Sequence, residues 1–460
     1  MSHDFDLAVI GGGAAGLAAA RLSVRLGART ALVESNRPGG TRNWTGCIPS
    51  KALIKAARVA HLMRTAQRFG MAAHEPEVDF PCAIGRVKAI CEEARADEDP
   101  RIRMFPARAR FVDPHTIQLS NGEKITSRYF LVAAGSRPLI PKIEGIERVS
   151  YLTNESVFDL ERLPRRLMVV GAGAAGVEMA QAFRRLGSTV TLAESEHRIL
   201  GRDDAELSYL LETVLREEGI DVRFGETVEK IDGNVVALST GSRVETDAIL
   251  FAIGRQVNVA DLDLKAAGIR VTEYGVSVDQ HCRTGVKHIF AAGDVTGRHQ
   301  FTHMAEHMAT VAVKNALLGA RAKIESGQIS WCTYSDPELA HVGAWEDQLK
   351  NRDVRYEVYK LPYSDVDRAV TESESTGLIK VFVKARTGVV LGTAILGARA
   401  GEMIAQFALA IRYKLTMAQL AATILPYPTY ASGVKRVAEE WTESRKIATG
   451  MRALRRALGR

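Results

Sequence analysis

Two segments of the chain carry the same device, 160 positions apart and with no gap between the copies. Gly11, Gly13 and Gly16 recur as Gly171, Gly173 and Gly176. Arg25-Leu26-Gly27 recurs as Arg185-Leu186-Gly187, and Glu34-Ser35 as Glu194-Ser195. Each copy reads as an apolar strand, a Gly-x-Gly-x-x-Gly turn, an Ala-rich helix and a second strand that ends in an acid. Glycines in such a turn allow a sharp reversal and close approach of a pyrophosphate. The helix N-terminus offers free N–H groups to the phosphates, and the acid takes the ribose hydroxyls. One copy is a weak signal, because a Gly-rich turn in an unrelated α/β fold produces it. In both copies the acid falls 23 residues after the first glycine, which makes dinucleotide binding the better reading. Two such sites in one chain imply electron transfer between two cofactors.

A chain of 460 residues has room for two or three domains with full cores. At 46% apolar and 25% charged, its composition is that of a soluble globular protein. Met1–Asp6 leads straight into an apolar strand, Leu7–Ile10, with no leader pattern. The uncharged run Leu415–Val434 contains Pro426 and Pro428, which argues against a membrane span. Cys47, Cys82, Cys91, Cys282 and Cys332 are scattered and odd in number, with no metal-ligand spacing, so no metal is expected. Such usage suits a reduced, cytoplasmic protein. Net charge is +7, yet six basic residues and no acid follow Glu443. The body is therefore near neutral, which argues against a nucleic-acid surface.

The spacing of elements predicts an α/β chain: two Rossmann-like dinucleotide-binding domains and a C-terminal α+β domain. Residues 1–145 and 280–328 are expected to form the first, 146–279 the second, 329–443 the third, and 444–460 a basic tail. Ile125–Pro138 reads as strand then turn, Ala248–Gly254 as an apolar strand, and His288–Asp294 as a buried strand ending in Gly-Asp. Between Val78 and Thr116 the chain is short and carries the basic run Arg101–Arg110, so a strand of the first domain is expected to be missing or rearranged.

These motifs together resemble the flavoprotein pyridine nucleotide-disulfide reductases, most closely the mercuric-reductase-like branch, over almost the whole chain. The resemblance implies FAD on the first fingerprint, with Glu34 on the adenosine ribose, and a nicotinamide cofactor on the second. Gly293-Asp294 is similar to the family's second FAD motif, where Asp294 would accept from the ribityl chain. Ala134-Gly135 and Gly254-Arg255 match its short connecting motifs. Trp331–Gly343 resembles the start of its dimerisation domain, which implies a homodimer. Gly40, Thr41 and Gly46, in the redox segment Gly39–Lys51, join the cofactor-binding set. Lys51 and Glu178 match the ion pair beside the flavin N5.

The chain departs from that pattern at the sulfur centre. Arg42 stands where the family has its outer, substrate-facing cysteine, and only Cys47, the thiol that lies against the isoalloxazine ring, remains. One thiol cannot close an intramolecular bridge. The family's His-Pro-Thr-x-x-Glu reads Tyr427-Pro428-Thr429-Tyr430-Ala431-Ser432, so base and orienting acid are both replaced; the tyrosine has precedent in mercuric-reductase-like members. No cysteine follows Cys332 to receive a metal. Disulfide exchange needs a thiolate and proton management. The reading is therefore hydride transfer from NADH to FAD, then electron delivery to a small, quinone-like acceptor without a redox disulfide. The catalytic set is Cys47, Lys51, Glu178 and Tyr427.

Two alternatives stay open: a single-thiol centre on Cys47 that makes mixed disulfides or persulfides, or acts as a mercuric reductase, and a redox-inactive nucleotide-binding sensor or scaffold. Cys47 reads equally as a thiolate favoured by Arg42 and a helix N-terminus, or as a buried residue without chemistry. Arg42 reads as a surface arginine before an anion contact. Ala174 is small where a bulky residue often covers the flavin, and Trp44, His303 and His341 read as packing residues. Glu194 favours NADH over NADPH, because an acid there repels a 2′-phosphate, with His197 and Arg198 as offsetting groups. Ile447, Met451, Leu454 and Leu458 form a stripe among arginines. It suits weak contact with an anionic membrane surface, or packing on the body or a partner subunit.

Overall fold

The computed structural model describes the backbone of residues 3–95 and 99–457 and, apart from residue 326, side chains as far as 447. The first fingerprint strand, Phe5–Ile10, is buried along nearly its whole length. It lies inside a parallel sheet in the order Ile102–Pro106, Thr30–Glu34, Phe5–Ile10, Lys124–Val132, Ile289–Ala291. Continuous apolar runs are what a sheet covered on both faces requires. Helices Ala14–Arg25 and Thr302–Leu318 pack on each other over it, so residues near both ends of this lobe's sequence share one core. The stretch between Val78 and Thr116 lacks no strand. It contributes helix Phe80–Glu93, edge strand Ile102–Pro106, and Ala109–Asp113, which joins an antiparallel ribbon with Thr116–Leu119 and Lys124–Val132. Of the expected missing or rearranged strand, the missing one is not found: the sheet is continuous through this stretch.

The second fingerprint repeats the arrangement. Its parallel sheet runs Asp221–Phe224, Thr189–Glu194, Arg166–Val170, Ala248–Phe251. The short strands Ser136–Pro138 and Arg255–Val257 pair antiparallel where the chain passes between the two lobes. The third lobe is an antiparallel sheet in the order Ser330–Thr333, Glu338–Gly343, Val390–Gly397, Leu378–Lys384, Tyr356–Pro362. Helices Ala400–Arg412 and Ser432–Ala457 accompany it. The α/β-plus-α+β fold class read from the sequence is the one observed. The basic tail is no separate element, since one helix runs from Ser432 through Ala457. The side chains of Met451, Leu454 and Leu458 lie outside the described residues.

Helix Cys47–Arg64 matters most for the site. Its buried residues Leu53 and Ala57 belong to the core built around the second fingerprint, not to the core of the first. An amphipathic helix goes where its apolar stripe is covered. Burial of that stripe leaves another side of the helix, with Cys47 and Lys51, at the seam between the lobes.

Candidate functional site

The two fingerprint turns are superposable in their steric logic. A Cβ on Gly16 would lie 1.8 Å from the Gly11 carbonyl oxygen, and one on Gly176 would lie 1.8 Å from that of Gly171. The third glycine of each turn is therefore obligatory. The middle glycines, Gly13 and Gly173, face open space with nothing within 4 Å of a built Cβ. Both helices that follow start without a side-chain cap or an acid in the first turn. Open glycines in front of uncapped N–H groups form a cradle that fits a dinucleotide pyrophosphate. The acids do more than the spacing suggested. Glu34 Oε2 accepts the Gly12 N–H at 2.6 Å and Oε1 accepts that of Asn36 at 2.8 Å. Glu194 likewise takes the N–H groups of Ala172 at 2.7 Å and Glu196 at 3.1 Å. Each acid thus ties its strand end to its own glycine turn.

A second polar cluster joins the connecting motifs. Arg255 donates to the Ser136 hydroxyl at 2.7 Å, the Ser136 carbonyl at 2.7 Å, Asn154 at 3.2 Å and Thr41 at 3.1 Å. Ser136 donates onward to Asp294 at 2.6 Å, and Arg255 lies 3.6 Å from the same carboxylate. The Ala134 carbonyl accepts from Asn258 at 2.9 Å, and the Gly135 carbonyl from its backbone N–H at 3.0 Å. Gly46 lies tightly against Thr41, with a built Cβ only 2.8 Å from the Thr41 carbonyl oxygen. Gly40, Thr41, Gly46, Ala134, Gly135, Gly254, Arg255, Gly293 and Asp294 therefore converge around one wall, although they span most of the chain. Asn154 and Ser136 belong to this wall and gave no signal in the sequence.

Lys51 Nζ donates to Glu178 Oε2 at 2.7 Å, from the seam helix to the second fingerprint helix. Glu178 is 4% exposed, and its other oxygen accepts the Tyr334 N–H at 2.8 Å. Lys51 also sits 4.6 Å from the centre of the Tyr334 ring. The pair thus has a third member from the last lobe. Burial, reinforced by Cys332, Glu338, Glu178 and Cys47, pushes the Tyr334 hydroxyl up to about 12.

Cys47 is the first residue of helix Cys47–Arg64, and Thr302 is the first of helix Thr302–Leu318. Cys47 Sγ lies 3.3 Å from Thr302 Oγ1. All five cysteines are free. Burial raises the thiol of Cys332 well above its ordinary range and that of Cys282 to about 12. Tyr427, placed in the catalytic set, is 74% exposed on the third lobe of its own chain. No group of ligating residues capable of holding a metal occurs among the described residues.

The packing residues behave as such. Trp44 donates to the Pro38 carbonyl at 2.8 Å. His303 stacks on Phe301, and fully buried His341 stacks on Trp345 at 3.4 Å between centroids. Trp331 lies among Phe301, His341 and Trp345, and its indole N–H donates to Asp203 at 2.8 Å.

Residues 5–309 match the pyridine nucleotide-disulphide oxidoreductase family, and residues 329–438 match that family's dimerisation domain. The chain belongs to this family. Members use FAD and NAD(P)H, and the chain is accordingly a flavin-dependent NAD(P)H oxidoreductase. It is 33% identical to a mercuric reductase of Lysinibacillus sphaericus, over 95% of this chain and 82% of that protein. It is 35% identical to a dihydrolipoyl dehydrogenase of Thermus scotoductus, over 95% and 97% of the two chains. Among solved structures it is similar to RclA, the HOCl-induced flavoprotein disulfide reductase of Escherichia coli. That likeness has a TM-score of 0.85 at 27% identity, covering 94% of this chain and 99% of that one. LpdA from Mycobacterium tuberculosis matches with a TM-score of 0.86 at 26% identity, over 95% and 99%.

The dimerisation domain points to a homodimer. Ile424 at 92% exposure, Tyr413 at 65% and Tyr427 are large exposed side chains of this lobe. No described helix is long and apolar enough to cross a membrane.

Proposed function

We propose that the protein oxidises NADH and passes the electrons, by way of FAD, to a small quinone-like acceptor without a redox disulfide. The observation that carries this reading is Arg42 in the place of the outer thiol, while Lys51, Glu178 and both dinucleotide cradles are kept. Bound FAD supplies a two-electron carrier that accepts hydride from a nicotinamide and gives electrons to a second substrate. The chain's own part is to hold and tune that carrier. Lys51, fixed by Glu178, places a positive charge where charge grows on reduction. The Arg255–Ser136–Asp294 wall keeps its polar groups oriented before a ligand arrives. The balance is NADH, a proton and quinone in, and NAD⁺ and hydroquinone out.

NADH is the proposed donor. The carboxylate of Glu194 occupies the end of its strand, and Arg198 is committed to the carbonyl oxygens of Asp203 at 3.2 Å and Gly201 at 2.5 Å. Those contacts hold the Arg198 guanidinium to its own loop and weaken it as an offset to Glu194. NADH should exceed NADPH in kcat/KM by about tenfold or more, and a higher value for NADPH refutes the assignment.

The test of the main reading is an anaerobic NADH titration followed by a panel of acceptors, with wild type and Cys47→Ala side by side. Bleaching of the flavin, quinone turnover and no ordinary turnover of lipoamide or glutathione disulfide are expected, with quinone activity surviving in Cys47→Ala. Loss of all acceptor activity in that variant favours the single-thiol reading instead, for which the Cys47–Thr302 contact is the supporting observation. No bleaching at all leaves the nucleotide-binding scaffold. Contact of the C-terminal helix with anionic membranes is a separate proposal, carried by the six basic residues after Glu443. Liposome co-sedimentation unchanged by deleting 445–460 removes it.

A further inference from the structure

We propose that Arg42 selects the electron acceptor by binding a negatively charged group on it, a carboxylate, sulfonate or ionised hydroxyl beside a quinone ring. This rests on the flavin-to-acceptor reading above and names the substrate class it serves. The argument starts with the short helix Gly40–Trp44. Its other positions are all committed. Gly40 abuts Gly13, with a built Cβ 2.8 Å from the Gly13 Cα. Thr41 accepts from Arg255 at 3.1 Å. Asn43 donates to the Cys91 carbonyl at 2.9 Å, and Trp44 to that of Pro38 at 2.8 Å. Arg42 is only partly exposed and makes no hydrogen bond or ion pair among the described residues. Arginines beside it in sequence or nearby in the seam, Arg37 and Arg58, are paired with Glu92 and Glu374.

The surroundings sharpen the point. The chain turns back at once from this helix, with the Thr45 N–H on the Thr41 carbonyl at 3.2 Å and Gly46 pressed on Thr41, so Arg42 and Cys47 belong to one tight turn. Cys47 opens a helix of 18 residues and Thr302 one of 17, and their side chains meet, Sγ to Oγ1, at 3.3 Å. Neither has a side-chain cap or an acid in its first turn. A partly buried guanidinium with no carboxylate partner among the described residues is poorly compensated, and an anionic group on the acceptor would pair with it. The planar guanidinium binds a carboxylate or sulfonate in bidentate fashion, which a lysine does not reproduce.

The experiment uses the FAD-loaded enzyme with 1,2-naphthoquinone and 1,2-naphthoquinone-4-sulfonate, in wild type, Arg42→Gln and Arg42→Lys. Flavin content and NADH-driven bleaching are measured first, to show that each variant is folded and reducible. The readout is the ratio of kcat/KM for the sulfonate to that for the neutral quinone. It should fall about tenfold in Arg42→Gln, the size of one lost charge-assisted contact. Arg42→Lys should lie between the two, and added salt should lower the ratio in wild type more than in Arg42→Gln. A ratio and salt response identical in wild type and Arg42→Gln overturns the proposal while leaving quinone reduction standing. Wild type that bleaches with NADH but reduces neither quinone overturns both.

Discussion

At the scale of single residues, the site is built from groups whose partners lie far off in the chain. Lys51 and Glu178 are 127 positions apart, and Trp331 meets Asp203 across 128. The second contact makes a prediction about pH. Asp203 is 8% exposed, and burial, opposed by the Trp331 hydrogen bond and by Arg198, lifts its carboxyl to about 6. A carboxyl raised above its unfolded value of about 3.9 holds its proton more tightly in the folded state. Its favourable contribution is then complete below the unfolded value and is lost as pH rises through 6. Above that, the buried charge costs about 2–3 kcal/mol. Asp203→Asn keeps an acceptor for the indole and removes the charge. It should raise Tm at pH 8 and flatten the change in Tm between pH 4 and 7; an unchanged profile in differential scanning calorimetry would show that Asp203 is not held in this state.

At the scale of elements, the repeated fingerprint lets the two cofactor sites be separated. A methyl group on Gly176 would sit 1.8 Å from the Gly171 carbonyl, where only backbone movement makes room. Gly176→Ala should therefore abolish or slow by over about tenfold the bleaching of the flavin by NADH. The protein should stay yellow, because the first turn is untouched. Gly16→Ala should come out with little flavin. Absorbance of the purified variants and anaerobic mixing with NADH check both, and a yellow, normally reducible Gly176→Ala protein would mean that the second turn is not the nicotinamide site. The same steric demand explains why these elements were legible in the sequence: only glycine satisfies it, so the backbone geometry is written in residue identity. The third member of the Lys51–Glu178 pair was not legible. Tyr334 contributes a backbone N–H, which leaves no mark on residue type. Thr302 was missed for a related reason. Its closeness to Cys47 depends on where two helices start in space, 255 positions apart in sequence, and no local periodicity encodes that. The segment 78–116 misled because its brevity was read as strand count, although it holds a helix and two strands of the sheet.

At the scale of the whole molecule, the seam that carries the site is held by charges as well as apolar contact. Cys47, Lys51 and Arg58 follow one stripe of helix Cys47–Arg64, within about 40° of each other at 3.6 residues per turn. Lys51 reaches the second lobe, and Arg58 reaches the third through Asp336 at 3.7 Å and Glu374 at 2.8 Å. Asp336 also binds Arg185 at 2.6 Å, and Arg185, itself 6% exposed, binds Glu218 at 2.6 Å. The network therefore runs from the reactive helix through the third lobe to the nucleotide-binding helix. Removing one member should be far worse than removing several, because the cost lies in stranding the remaining buried charges. Arg185→Met alone leaves Glu218 and Asp336 without their main cation and should destabilise the protein by about 3–5 kcal/mol, seen as a lowered Tm. Arg185→Met combined with Glu218→Gln and Asp336→Asn should recover much of that loss. If the network also sets the angle at which Lys51 meets Glu178, the combined variant will be stable yet slower in NADH-driven bleaching than wild type. Equal stability losses in the single and combined variants would mean that Arg185 acts through packing alone. Full recovery of both Tm and bleaching rate would mean that these charges hold the lobes together without orienting the site.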